Sequence, residues 1–157
     1  MQSLDALMDQ YGTDKAISGY SKSYEYLFND IKNEVTSLLE IGIGSLDINV
    51  QGHFRQIREI YYENYVQGGS LRVWRDYFPN ATIYGADIDK DVLFEENRIK
   101  TYFINQLDPL TIQSFWEAVG KAEFDFMIDD GLHTFEAGST LFLHSIDKLS
   151  SNGIYII

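Results

Sequence analysis

Phe124-Asp125-Phe126-Met127-Ile128-Asp129-Asp130-Gly131-Leu132-His133 is a short apolar run that ends in two carboxylates, a glycine and a histidine. Short apolar runs bounded by turn residues read as buried strands, and open α/β sheets place their chemistry just beyond the carboxyl ends of their strands. The stretch therefore predicts a buried strand over 124–128 and a reactive lip at 129–133.

The neighbouring segments repeat the pattern. Val35 to Ile43 is apolar with β-branched residues and breaks into Gly42-Ile43-Gly44-Ser45, a strand running into a glycine loop. Thr82 to Ala86 gives a second strand ending at Asp87, Ile99 to Ile104 a third, and Ile154 to Ile157 a fifth after the turn Ser151-Asn152-Gly153. Helices fall between them. Tyr24, Leu27, Phe28 and Ile31 share one face of a helix over 21–33, with Ser21 as its cap. Gly68-Gly69-Ser70 opens a helix over 71–78, Asp108-Pro109 starts another whose apolar face is Phe115, Trp116 and Val119, and a last one spans 135–149. Alternating strands and helices predict an α/β fold, a doubly wound and mostly parallel sheet covered on both faces. Ser45 to Gln67 has no clean period, although Phe54, Ile57, Arg58 and Tyr61 suggest a partial helix, so 45–68 reads as an insertion and 1–34 as an amino-terminal helical cap. The chain stops at Ile157 directly after an apolar strand, which predicts a sheet cut short after its fifth strand.

Composition narrows the class. At 157 residues and 45% hydrophobic, the chain suits one domain around one core. A formal charge of −12 with no basic cluster repels phosphate backbones, which argues against nucleic acid. Without cysteine, any metal must be held by oxygen or imidazole, and the absence fits a reducing cytoplasm. The first ten residues carry two aspartates and no basic region before an apolar stretch, and no run is long enough to span a bilayer, so a soluble, cytoplasmic protein is expected. Eleven tyrosines exceed what a small core needs, and Tyr61, Tyr62 and Tyr65 suggest a pocket lining or a homo-oligomer contact.

Three clusters carry candidate chemistry. Gly42 and Gly44 let a ligand approach the backbone, or they merely turn the chain. Asp87, at the tip of the second strand and about 20 residues past Gly69, suits the two hydroxyls of an adenosine ribose. The competing reading makes Asp87, Asp89 and Asp91 a solvated turn. A nicotinamide cofactor asks for a three-glycine pattern that is missing here, whereas S-adenosylmethionine has no phosphate and carries a sulfonium cation that suits a carboxylate such as Glu40. At the lip, Asp130 suits a hard divalent cation and His133 suits proton removal from a hydroxyl. Its alternative is that Asp129 caps the next helix and His133 is a surface residue. His144, on a predicted helix with Leu141, reads as structural, and His53 in the insertion has no assignable role.

A resemblance joins these clusters. Tyr11-Gly12-Thr13-Asp14-Lys15, Tyr24 and Glu25, Leu39-Glu40-Ile41-Gly42-Ile43-Gly44, Gly69-Ser70-Leu71 with Trp74 and Tyr77-Phe78-Pro79, Tyr84-Gly85-Ala86-Asp87-Ile88-Asp89, and Asp129-Asp130-Gly131 with His133 follow one another in that order. The whole resembles the macrocin and mycinamicin type of S-adenosylmethionine-dependent sugar O-methyltransferase, which has a Rossmann-like class I methyltransferase fold. Cephalosporin-cluster methyltransferase-like proteins are more distant relatives. The resemblance implies that Glu40, Gly42, Gly44, Gly69, Ser70, Asp87, Asp129 and the turn Asn105-Gln106-Leu107-Asp108 contact the methyl donor. It further implies that Tyr11, Thr13 and Asp14 close over that site, that Asp130 ligates Mg2+ and that His133 is the general base. Leu132 replaces the family's usual serine, Ile104-Asn105 its glycine-aspartate, and the acidic pair that completes the family's metal site would follow Ile157. The expectation is a bacterial, magnesium-assisted O-methyltransferase acting on a hydroxyl of a sugar or glycosylated small molecule. Its rival is a nucleoside-binding or assembly module without chemistry.

Overall fold

The computed structural model describes residues 2–13, 15, 19–47, 49–50, 65–121 and 123–157. Asp14, His53, Tyr61, Tyr62 and the suggested partial helix around Phe54 and Ile57 lie outside them.

The central strands form because their residues are apolar on both faces. β1 (Ser37–Ile41) is buried at every position, including Glu40. It is flanked by β2 (Thr82–Asp87) and β5 (Phe124–Asp129), both parallel to it, with Leu39 paired to Tyr84 on one side and to Met127 on the other. β4 (Ile99–Phe103) adds to β2 in parallel, and β6 (Leu149–Ile156) adds to β5 in parallel. A two-residue strand, β3 (Glu95–Glu96), closes one edge antiparallel to β4, giving the order β3-β4-β2-β1-β5-β6. The chain winds outward from β1 through β2 to β4 and then returns to β5, so the order reverses between β1 and β5. Such reversal points open a crevice at the strand carboxyl ends.

Helices cover both faces. On one side lie α1 (Leu4–Gln10), α2 (Tyr20–Phe28) and α3 (Gly69–Tyr77), which bury Leu4, Met8, Phe28 and Trp74 against Leu38, Ile83, Phe126 and Ile128. An aromatic cluster sits at its centre, with Tyr24 edge-on to Trp74 at 5.1 Å and Phe28 4.5 Å from Phe126 between ring centroids. On the other side α4 (Pro109–Val119) and α5 (Phe135–Leu143) pack Ile112, Phe115 and Leu141 on Leu39, Ile41, Ala86 and Met127. Adjacent strand residues such as Leu38 and Leu39 thus serve opposite layers, the pattern of a sheet buried on both faces.

Several boundaries differ from the sequence reading. α1 was not placed by it, although Ser3 caps the helix by accepting from Ala6 N and Leu4, Leu7 and Met8 have helical spacing. α2 starts one residue before Ser21, from a left-handed Gly19; Ser21 does not cap it and instead donates to Asp5 Oδ1 at 2.8 Å. α2 also stops at Phe28, where Asn29 and Asp30 begin a run of turns. α5 ends at Leu143 rather than 149, because Leu149 already belongs to β6. The expected turn at 151–153 lies inside that strand as an irregularity, with three more residues on β6 than on β5 between the pairs Phe124/Leu149 and Phe126/Ile154.

Candidate active site at the strand tips

The glycine loop is built by contacts from three strands. Gly42 N donates to Ala86 O and Asp130 N donates to Ile41 O, so the tips of β1, β2 and β5 stay laced together past the end of the sheet. Gly42 has φ +94°, and a Cβ there would lie 2.2 Å from the Asp130 carbonyl oxygen; only glycine fits this approach. Asp87 holds the other side of the loop. Its Oδ2 accepts from Ile43 N at 2.7 Å and Gly44 N at 3.3 Å, and its Oδ1 accepts from Asp89 N at 2.9 Å. Asp87 is buried, so the solvated-turn reading fails for it; it survives for Asp91, which is exposed in the turn Lys90–Val92 that Asp89 caps.

Segments 11–13 and 65–70 come together beside the loop. Val66 N donates to Gly12 O, the Gly69 backbone packs against the Tyr11 carbonyl, and Thr13 and Ser70 are buried there. The Tyr65 hydroxyl donates to Ile43 O and Gly44 O. The Tyr11 side chain points elsewhere, donating to Asp76 Oδ2 and accepting from Arg75 Nη2 on α3.

β4 and β5 meet through Gln106. Its amide donates to Asp129 Oδ1 at 2.7 Å and its carbonyl accepts from Leu132 N at 2.8 Å, which fixes the 129–132 turn. Burial raises the Asp129 carboxyl above its ordinary range, opposed by Gln106 and the Gly131 amide. Asp129 is not the cap of α5; Thr134 is, accepting from Ala137 N. Asn105 Oδ1 accepts from Leu107 N within the turn, and Asp108 caps α4 as its sequence indicated.

A chain of charges crosses the crevice. Lys15 Nζ lies 3.0 Å from Glu40 Oε1 and pairs with Asp130 Oδ2; Glu40 Oε2 accepts from Trp74 Nε1 at 2.7 Å; Asp130 Oδ1 lies 3.2 Å from His133 Nε2. Glu40, expected to face the methyl donor, is instead wholly buried with both oxygens engaged. Burial pushes its carboxyl up, with Lys15 opposing. Burial acts the same way on Asp130, but Lys15 and His133 outweigh it and hold that carboxyl below the usual carboxylate range. The Asp130 hydrogen bond raises the His133 imidazole above its ordinary value. His133 has φ +55°, a conformation that disfavours side chains and persists where the surroundings impose it. His144 takes no part, sitting at the end of α5 with Nδ1 2.9 Å from Thr140 O.

The donor set bears on magnesium. Among the described residues no three histidine, aspartate or glutamate side chains gather as a metal site. Asp130, the expected ligand, has one oxygen on an ammonium and the other on His133. These residues do not by themselves fit a divalent ion. Sequence reasoning missed the part of Lys15: Tyr11 to Lys15 was read for the cofactor, and nothing local to Lys15 points to a carboxylate 115 positions away.

No family model matches the chain. It is 30% identical over 155 residues to the 8-demethyl-8-alpha-L-rhamnosyl tetracenomycin-C 2'-O-methyltransferase of Streptomyces olivaceus, covering 98% of this chain and 36% of that protein. It is 32% identical over 156 residues to the demethylmacrocin O-methyltransferase of Streptomyces fradiae, covering 98% and 35%. Among solved structures it matches MycE, a methyltransferase from the mycinamycin biosynthetic pathway in complex with Mg and SAH, with a TM-score of 0.75 at 30% identity, covering 98% of this chain and 38% of that one. MycE is also known with mycinamycin VI bound. The chain spans about a third of the length of the curated relatives it matches. Over nearly its whole length it is a homologue of the macrocin- and mycinamicin-type sugar O-methyltransferases and has the MycE methyltransferase fold.

Proposed function

We propose that the crevice at the tips of β1, β2 and β5 binds S-adenosylmethionine and that the protein methylates a hydroxyl of a sugar or glycosylated small molecule. The observation that carries this reading is the glycine loop held by a buried strand-tip acid, Asp87, beside an Asp130–His133 pair. Gly42, Gly44, Gly69, Ser70, Thr13 and Asp87 would line the methyl donor, with Asn105, Gln106, Asp108 and Asp129 toward the adenine. Of the remaining candidates, Tyr11 would contribute backbone and Asp14 lies outside the described residues. Glu40 would act through Lys15 rather than by touching the donor.

The chemistry follows from the pair. His133 Nε2 faces Asp130 Oδ1 at 3.2 Å, and the other ring nitrogen, Nδ1, would be the base. Nδ1 takes the proton of the acceptor hydroxyl as the oxygen attacks the methyl carbon. The carbon–sulfur bond breaks and its electron pair stays on sulfur, so the sulfonium becomes the neutral thioether of S-adenosylhomocysteine. The donor is already activated, and holding oxygen, carbon and sulfur in line supplies much of the rate. Because Asp130 raises the His133 pKa above 6.5, the basic form accumulates only above that value, and activity should rise with pH there.

Magnesium is bound with SAH in the MycE structures. Asp130 is the described residue that corresponds to such a role, but its two occupied oxygens do not make a site, and no step above depends on the ion.

The test is methyl transfer from labelled S-adenosylmethionine to rhamnosyl and macrolide glycosides, the acceptor classes in the relatives' names. His133→Ala should keep S-adenosylhomocysteine binding and lose transfer by about a hundredfold or more, the usual share of a general base. Strong residual transfer by this variant rejects the base assignment. Binding by the parent chain with no transfer to any glycoside supports the rival reading, a nucleoside-binding module.

A further inference from the structure

Gln106 is a buried side chain that the chemistry above does not use. It leaves the turn after β4, while β5 lies beyond β2 and β1 in the sheet, yet both ends of its amide reach the lip of β5. Nε2 donates to Asp129 Oδ1 at 2.7 Å, and Oε1 accepts from Leu132 N at 2.8 Å. Gly131 leaves room for this crossing, since a Cβ there would run into the amide oxygen. Donor and acceptor each meet a partner of the opposite kind, so the buried amide is matched to the protein in one orientation. The residue after Leu132 is His133, whose φ of +55° is costly for a residue with a side chain and persists where its surroundings impose it. Leu132 is held by Gln106 on one side, and on the other Thr134 is held as the cap of α5, accepting from Ala137 N at 3.2 Å. His133 is suspended between these two fixed points.

We propose that Gln106 is a positioning residue for the general base: by anchoring Leu132 N and the Asp129 carboxylate from across the crevice, it holds His133 in its left-handed conformation and so sets where the imidazole stands at the lip. This role rests on that given to His133 above. Gln106 stands on the adenine side of the site, but its amide hydrogen bonds go to the protein, so it acts on the reaction through the turn and not through the donor. The same brace ties the 105–108 turn to the turn that bears the base.

The measurement is the backbone φ of His133, read from NMR couplings that report its sign, together with hydrogen exchange of the Leu132 amide. The parent protein should show a positive φ at His133 and a protected Leu132 amide. Gln106→Met should lose the positive φ and exchange Leu132 about fivefold faster, as befits one lost hydrogen bond. It should bind S-adenosylhomocysteine within about threefold of the parent, less than a typical hydrogen bond to the donor is worth. Its kcat at saturating donor and acceptor should fall about tenfold or more, the cost of a displaced catalytic group. Gln106→Glu sets a second carboxylate against Asp129 and should act as Gln106→Met does, whereas Gln106→Glu/Asp129→Asn restores a donor and an acceptor with their roles exchanged and should return the positive φ. Should Gln106→Met fail to fold, Gln106→Glu and its double variant carry the comparison. A folded single variant whose His133 keeps a positive φ overturns the proposal, as does an unchanged kcat where φ has moved. A loss of S-adenosylhomocysteine affinity of about tenfold, worth a direct hydrogen bond, makes Gln106 a donor contact and overturns it as well. The NMR readout needs no ligand, so a parent protein that binds no S-adenosylhomocysteine fails the methyltransferase reading while the place of Gln106 is still decided.

Discussion

Individual residues at the strand tips are constrained by what they touch, and the constraints differ in kind. A Cβ at Gly42 meets the backbone of Asp130, which cannot move without breaking the ladder between β1 and β5, whereas a Cβ at Gly44 meets only the end of the Tyr65 side chain. Both glycines have φ +94°, so both alanine variants carry backbone strain of about 1–3 kcal/mol, and Gly42→Ala adds a clash that Gly44→Ala relieves by moving Tyr65. Urea unfolding of the two variants should therefore rank Gly42→Ala clearly below Gly44→Ala; equal losses would contradict the packing described. Trp74→Phe keeps the ring packing but strips a donor from the buried Glu40 Oε2, and should cost about 1–3 kcal/mol in the same assay. The places of Asp87 and His133 at the lip of the sheet were legible in the sequence because each follows a strand that periodicity can locate. The Lys15 contact was not, since it depends on the sheet bringing β1 and β5 side by side.

Elements were legible where burial is two-sided or capping is strong. β1 and β5 are largely apolar runs buried almost throughout, and α4 begins where Asp108 and Pro109 place it. Boundaries failed where a competing local preference won: asparagine and aspartate turns end α2 early, and the Ser151-Asn152-Gly153 signal is absorbed as an irregularity because β6 gains its pairing to β5 on both sides of it. β3 left almost no trace, being two exposed glutamates held at the sheet edge partly by ions. Arg72 and Arg75 on α3 both reach Glu96, and the hydrogen bond from Arg72 is the main cause that lowers the Glu96 carboxyl. A lowered folded-state pKa contributes stability that is present above the unfolded value of 4.5 and is lost as pH falls through the depressed folded value. Glu96→Gln should consequently destabilise the protein by no more than about 1 kcal/mol at neutral pH, as befits a partly exposed pair. The difference should vanish in acid, and thermal unfolding of both proteins across that range checks it; a gap that widens in acid would reverse the sign worked out here.

At the scale of the whole molecule, the sheet order decides where chemistry can occur. The reversal between β1 and β5 gathers the glycine loop, Asp87, the Gln106-braced turn and the Asp130–His133 pair on one edge, while the aromatic core beneath α2 and α3 supports it from behind. No described helix is long and apolar enough to cross a membrane. The fold class was legible because alternating strands and helices admit few arrangements. The wiring of the site was not, because it consists of contacts between tips of strands distant in sequence. The claim on which the rest depends is that this edge holds the methyl donor. Calorimetric titration with S-adenosylhomocysteine tests it most directly, with the parent chain compared with Asp87→Ala. The account predicts one site per chain in the parent and at least a tenfold loss, about 1.4 kcal/mol, in Asp87→Ala. A folded parent protein that takes up no S-adenosylhomocysteine would contradict it.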